Sequence, residues 1–141
     1  MATETSSPLL LCLDLEAGSE QLAAYAAAHA RRCSRPVRVL HVTPASLDGR
    51  HRTRVHQHLQ ALVDAHLGGI ALAGLEVTEG VAEEIIVATA ARHDVDLILL
   101  GRRQRRTVER IYVGSTTSAV LSLAHRPILV VPIDTGTGAR A

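Results

Sequence analysis

The fold is decided by a short apolar run in the second half of the chain, Leu97-Ile98-Leu99-Leu100, which stops at Gly101. Consecutive apolar residues followed at once by a turn signal are typical of a strand that is buried on both faces of a sheet. We therefore expect the chain to turn sharply at Gly101, where the absence of a Cβ would let a ligand approach the backbone. A similar run, Leu9-Leu10-Leu11-Cys12-Leu13, ends at Asp14 and predicts a second buried strand.

The hydrophobic pattern around these two runs predicts three more strands and four helices. The further strands are expected at 37–42, at roughly 75–78 and at 127–133. The first helix is expected to have Ser19 as its N-cap and to face inward with Leu22, Tyr25, Ala26, His29, Ala30 and Cys33. The other helices are expected at 55–66, near 81–93 and from Gly114-Ser115 onward, the last with Val120, Leu121 and Ala124 inward.

Strands and helices therefore alternate, which predicts an α/β fold: a three-layer sandwich whose parallel sheet has helices on both faces. One domain is expected at 8–133, between a disordered tail at 1–7 and a C-terminal tail at 134–141. Such sheets bind ligands at the carboxyl ends of their strands, where the strand order reverses. The loops at 14–19, 42–48 and 101–115 are therefore the places to search for a site.

The composition excludes several classes of function. The 141 residues carry a formal net charge of +1 and only 1% aromatic residues, which argues against nucleic-acid binding. No apolar run is long enough for a membrane span, and the N-terminus lacks a signal-peptide pattern. All 15 basic residues are arginine, which excludes Schiff-base chemistry and a P-loop lysine. Cys12 and Cys33 are expected as small core fillers of a reducing, cytoplasmic protein.

A strongly basic segment follows the strand at 97–100. It holds the arginines at positions 102, 103, 105, 106 and 110 against one acid, Glu109. Beyond it, Gly114-Ser115 begins a helix whose free N–H groups, together with the hydroxyls of Thr116 and Thr117, favour an anion. The two ends of this segment could hold a polyphosphate without a lysine. The alternatives are a solvated loop, a simple turn at Gly101 and an ordinary N-cap at Ser115.

Most other polar residues have a structural explanation. Of the 8 histidines, several crowd the second helix without the spacing of metal ligands, so no metal site is predicted. His41 is expected as a partly buried histidine of the second strand, and Asp94 and Asp96 as turn caps before the fourth. Asp14 has the best position for a functional carboxylate because it follows the carboxyl end of the first strand.

The chain resembles the universal stress protein family. The resemblance rests on 96–101, on Gly114-Ser115 and on the segment from His125 to Val131; in the N-terminal half it rests on the strand ending at Asp14 and on Val39-Leu40-His41-Val42. It covers about positions 8–133. It implies five parallel strands in the order 3-2-1-4-5, in a fold like that of the adenine nucleotide alpha hydrolases. It also implies a homodimer formed through the last strand, from Pro127 to Ile133.

The resemblance further implies a phosphate-binding motif. Nucleotide-binding members carry Gly-x2-Gly-x9-Gly-Ser/Thr around the ATP phosphates and ribose, and the corresponding positions are Gly101, Gln104, Gly114 and Ser115. Gln104 stands where the motif has its second glycine. Its side chain would either block the phosphates or donate an amide hydrogen bond to one of them. The nearby Arg102 and Arg103 would then replace lost backbone contacts with charge-assisted bonds.

The remaining positions of the implied nucleotide site come from three other segments. Asp14 would lie in the adenine–ribose pocket, and the backbone of Val42 would contact adenine. Thr116 and Thr117 would flank the phosphates.

Three functions are consistent with these observations. The first is a dimeric stress-response module that binds ATP or AMP, with or without Mg²⁺, and presents a changed surface to an unknown protein partner. Fast hydrolysis is not expected, because residues 101–117 contain one carboxylate, Glu109, and no histidine. The second is a nucleotide-free dimerisation and docking platform, which Gln104 favours and Gly114-Ser115 does not. The third, an enzyme of a related superfamily, would need a glycine-rich motif after the first strand that the sequence lacks.

Overall fold

The structure is a computed structural model that describes residues 6–44, 48–103 and 114–134. Within these residues strands and helices alternate as the sequence predicts. The strands are β1 (Leu9–Cys12), β2 (Val37–Thr43), β3 (Leu72–Glu79), β4 (Leu97–Arg103) and β5 (Ile128–Ile133). The helices are α1 (Ser19–Cys33), α2 (Gly49–His66), α3 (Ala82–Arg92) and α4 (Ser115–Leu123).

All five strands pair in parallel, in the order β3-β2-β1-β4-β5. β1 lies at the centre, where Leu11 pairs with Val39 of β2 on one side and with Leu99 of β4 on the other. Leu9, Leu10 and Leu11 are fully buried because helices cover both faces of the sheet. This arrangement confirms the predicted α/β class, the strand order and the position of β5 at a sheet edge.

α1 packs closely against the sheet because its buried face consists mainly of small side chains, including Ala23, Ala26, Ala27 and Ala30. The prediction that Tyr25 and Cys33 face inward is wrong. Tyr25 is 39% exposed and stacks on His29, and Cys33 is exposed and therefore not a core filler. Cys12 is partly buried and packs against the core on the opposite face of the sheet.

Two helices begin differently from the sequence prediction. Gly18 precedes α1 as its N-cap, so the prediction of Ser19 as the cap is wrong; Ser19 is the first helical residue and is buried. α2 begins at Gly49, well before the first apolar position, Val55. The helix begins early because Asp48 caps it: the Asp48 side chain accepts a hydrogen bond from the backbone N–H of His51.

The fourth helix buries fewer of its apolar residues than expected. Val120 is fully buried, but Leu121 is 49% exposed, which contradicts its predicted inward position. Ala124 lies just beyond the helix and packs against the core. The short helix thus buries Thr117 and Val120, and its exposed side carries Leu121 and Leu123 among serines.

Three of the strands, β2, β3 and β4, are longer than predicted, whereas β1 and β5 are each one residue shorter. The most consequential difference concerns Gly101. β4 continues through Gly101, which pairs with Val131 of β5, so the predicted sharp turn at this glycine is wrong. The absence of a side chain has a packing reason instead: a Cβ at Gly101 would overlap Cδ1 of Ile133. Arg102 and Arg103 consequently lie on the last part of a strand.

Candidate functional site

A cleft of about 360 Å³ opens at the carboxyl ends of β1 and β4. The strand order reverses between these two strands, which is where parallel sheets of this kind hold their ligands. The volume lies within the range of roughly 300–1,000 Å³ that is usual for small-molecule sites. Gln104 lies outside the described residues. The other predicted site residues all line the cleft: Asp14, Val42, Gly101, Arg102, Arg103, Gly114, Ser115, Thr116 and Thr117.

One side of the cleft is apolar. Leu40 and Val42 of β2, Leu100 of β4 and Ile86 of α3 contribute to it. Cys12 joins them at the end of β1, where burial raises the pKa of its thiol and keeps the side chain neutral. Such a surface suits a flat, uncharged ring.

Another part of the cleft is polar and suits an anion. It is formed by the start of α4, which no side chain of the described residues caps. The first intrahelical bond there runs from the N–H of Ser118 to the carbonyl of Gly114. The N–H groups of the preceding residues are therefore free of intrahelical partners, and the helix dipole adds partial positive charge. Thr117 is buried, and its hydroxyl lies 3.5 Å from the carbonyl oxygen of Gly101, which joins this helix start to β4.

Asp14 is held by donors from three directions. Its Oδ1 accepts hydrogen bonds from the backbone N–H of Glu16 at 3.0 Å and from the hydroxyl of Ser19 at 3.2 Å. The guanidinium of Arg103 approaches from β4, with Nη2 at 2.8 Å from the carboxylate. The turn after β1 thus orients the carboxylate, and Leu15 adopts a left-handed conformation, with φ of 64°, within it.

Several lining residues were missed by the sequence analysis. Ala82 and Ile86 come from α3, and Ser19, Leu22 and Ile133 come from α1 and β5. Their signal in the sequence is weak because each is an ordinary core or helix residue. Ala82 and Ile86 reach the cleft because α3 packs against β2, a contact that the sequence does not reveal.

The other polar residues singled out above do not line this cleft. His41 of β2 is 9% exposed, so it is buried more fully than predicted, and its Nδ1 donates to the carbonyl of Leu13 at 2.7 Å. Asp94 pairs with Arg126 at 2.8 Å and Asp96 with Arg35 at 3.3 Å, near the amino ends of the strands. These two aspartates thus form ion pairs in addition to lying in the turn before β4.

The described ranges hold neither a cluster of metal ligands nor a membrane-spanning helix. Among residues 6–44, 48–103 and 114–134, no group of three or more His, Cys, Asp or Glu side chains could hold a metal ion. The helices in that part of the chain also include none that is long and apolar enough to cross a membrane.

The amino-acid sequence matches a family model and a curated protein. The profile described as "Universal stress protein family" matches residues 6–132. A curated relative, universal stress protein MJ0531 of Methanocaldococcus jannaschii, is 41% identical over 56 residues, which are 40% of this chain and 33% of the relative. The match therefore spans about a third of that relative's length.

Solved structures share the fold over nearly the whole chain. The universal stress protein from Archaeoglobus fulgidus in complex with dAMP is 22% identical, with a TM-score of 0.72 over 92% of this chain and 99% of that one. A universal stress protein in complex with cAMP is 15% identical, with a TM-score of 0.68 over 92% of this chain and 98% of that one. At these identities the likeness establishes the fold.

Proposed function

The chain belongs to the universal stress protein family, and on that premise we propose that its cleft binds an adenine nucleotide, ATP or AMP, in a regulatory module without fast catalysis. The dAMP and cAMP complexes of similarly folded proteins support the ligand class. Two free cysteines, Cys12 and Cys33, support a reducing, cytoplasmic location.

One observation carries this proposal: an apolar surface and a helix start with free N–H groups line a single cleft at the switch point of the sheet. A nucleotide has the same two parts, a flat base and a charged phosphate. The base would lie against Val42 and Leu100, and the phosphates would accept hydrogen bonds from Ser115 and its neighbours in α4. Arg102 and Arg103 also line the cleft and would supply positive charge between the positions of the base and the phosphates.

The proposed absence of fast hydrolysis rests on the groups that line the cleft. Asp14 is the carboxylate among the described lining residues, and Arg103 already holds it by an ion pair. No histidine is among those residues. A general base that could activate water beside a phosphate is therefore lacking in this part of the chain.

A charge-insertion experiment tests the nucleotide site. Thr116→Glu places a carboxylate in the cleft at the helix start, and we expect it to abolish the binding of ATP with Mg²⁺ and of AMP, measured by isothermal titration calorimetry. Ser118→Glu makes the same change on the exposed side of α4 and is expected to leave binding intact. The proposal fails if the natural chain gives no heat at millimolar nucleotide, or if both variants bind alike.

A further inference from the structure

An ion pair in the cleft joins β4 to the turn after β1, beyond the point where the pairing of the two strands ends at Leu11 and Leu99. Arg103 leaves the end of β4 and reaches the turn after β1, where its Nη2 contacts Asp14 at 2.8 Å and its Nε donates to the carbonyl of Ala17 at 3.0 Å. The guanidinium therefore bridges the two sides of the site that would have to receive a ligand. The side chains are 35% and 51% exposed, so solvent reaches the pair.

We propose that Arg103 makes this cleft selective for phosphorylated over unphosphorylated nucleosides by exchanging Asp14 for the phosphate of the ligand. The inference rests on the proposed nucleotide site and assigns its selectivity to one residue. The guanidinium of Arg103 binds the carboxylate of Asp14. A phosphate offers the guanidinium more negative charge than the carboxylate does and binds it equally well in a bidentate way, so Arg103 moves to the phosphate and leaves Asp14 to accept a ribose hydroxyl.

The energies of the two contacts permit such an exchange. The pair between Arg103 and Asp14 is partly exposed, so water and salt screen it and it contributes little to stability. A charge-assisted bond to phosphate beside a helix N-terminus is stronger, because the helix dipole and the larger charge of the phosphate add to it. An unphosphorylated nucleoside has no phosphate that could bind Arg103 in place of Asp14. Its ribose hydroxyls must therefore compete with Arg103 for the carboxylate of Asp14.

Substitutions of Arg103 and of Asp14 are thus expected to change the preference for phosphorylated over unphosphorylated nucleosides in opposite directions. Arg103→Gln removes the group that recognises phosphate and frees Asp14 for a nucleoside. Asp14→Asn frees Arg103 for phosphate and weakens the acceptor that a nucleoside needs. An ion pair with only a structural role would behave differently, since the loss of either partner would weaken both ligands alike.

The test compares the affinities of AMP and adenosine by calorimetry at fixed ionic strength. We expect the preference for AMP to fall about tenfold in Arg103→Gln and to rise in Asp14→Asn. Arg126→Gln is the matched control: it breaks the ion pair to Asp94 at the other end of the sheet, with the same loss of charge, and is expected to leave the preference unchanged.

The outcomes separate this inference from the proposed function. If the natural chain binds neither AMP nor adenosine, the nucleotide site itself is wrong, and the role of Arg103 is overturned with it. If the natural chain binds AMP but Arg103→Gln and Asp14→Asn shift the preference in the same direction, or not at all, the nucleotide site stands and the exchange is wrong.

Discussion

At the scale of single residues, Gly18 and Gly101 leave room for the side chain of Ile133, which lines the cleft. Gly18, with φ of 96°, precedes α1, and Gly101 lies in β4; both face Ile133 of β5. A Cβ on Gly18 would overlap Cγ2 of Ile133, and a Cβ on Gly101 would overlap its Cδ1. The glycines therefore allow β5 to pack against the ends of two neighbouring elements.

Gly101→Ala is expected to destabilise the fold by about 1–3 kcal/mol, because the new methyl group must displace Ile133. The shorter side chain of Ile133→Val lacks Cδ1 and should recover most of this loss in the double variant. Gly18→Ala should cost at least as much, since it adds backbone strain at a positive φ, and Ile133→Val should not rescue it because Cγ2 remains. Urea unfolding of the single and double variants measures all of these changes.

A result in which Ile133→Val rescues both glycine variants equally, or neither, would contradict this packing account. The comparison also shows what the sequence could not reveal. Gly101 was identifiable as a position that needs glycine, but the sequence suggested a turn. The partner that explains it, Ile133, lies 32 positions later and becomes a neighbour only when β5 pairs with β4.

At the scale of elements, α2 begins under an electrostatic disadvantage. Its first turns carry Arg50, Arg52 and Arg54 and no acid, although positive charge is unfavourable at a helix N-terminus. Asp48 offsets this by capping the helix: it accepts hydrogen bonds from the backbone N–H and the Nδ1 of His51, each at 2.9 Å. The backbone bond from His51, followed by its side chain, lowers the pKa of Asp48 below the ordinary value.

The Asp48 cap therefore predicts a pH-dependent contribution to stability. Because the pKa is lower in the folded chain, the contribution is present above the unfolded value of about 4 and is lost as the pH falls through the folded value. Asp48→Ala should lower the Tm at pH 7, and the difference from the natural chain should shrink towards pH 3. Asp48→Asn keeps a capping oxygen that does not titrate, so its advantage over alanine should be nearly constant across this range.

Circular dichroism melts of the three proteins between pH 3 and pH 7 provide the measurement. A gap between the natural chain and Asp48→Ala that stays the same at every pH would show that the carboxylate charge plays no part. The sequence predicted α2 from its apolar stripe at 55–66 but not its first turns, where the residues are polar and only the cap indicates a helix. Strong hydrophobic periodicity predicts the middle of an element, whereas its ends depend on individual hydrogen bonds.

At the scale of the whole molecule, the order of the elements was the most predictable property. Alternating apolar strands and amphipathic helices leave few topologies, and Asp14 and Ser115 meet in one cleft because the carboxyl ends of β1 and β4 are adjacent. The contact between Arg103 and Asp14 was not predictable. It depends on β4 extending past Gly101, which the apolar run ending at Leu100 did not indicate.

The outer edge of β5 is the remaining feature at this scale, and we propose that it forms the homodimer that the family resemblance implies. The carbonyl of Pro127 accepts a hydrogen bond from the N–H of Ile98 in β4. Along a strand, successive residues direct their backbone N–H and C=O groups to alternate sides. The backbone groups of Val130 and Pro132 therefore point away from β4, towards the open edge of the sheet. A proline without an N–H is compatible with the outward position of Pro132. Val130 keeps its outward N–H and can pair with a second copy of the strand.

Val130→Pro is therefore expected to convert the proposed dimer into a folded monomer. The substitution removes an N–H that faces the open edge and leaves the bonds between β4 and β5 in place, whereas Val130→Thr keeps both the N–H and the β-branched shape and should remain dimeric. Light scattering at high micromolar concentration gives the mass, and circular dichroism shows whether the fold is retained. A natural chain that is monomeric under these conditions, or a Val130→Pro variant that stays dimeric, would exclude pairing through this edge. The same pairing would leave the nucleotide cleft accessible in both copies, because its lining in β5 is Ile133, whose side chain points inward against Gly18 and Gly101.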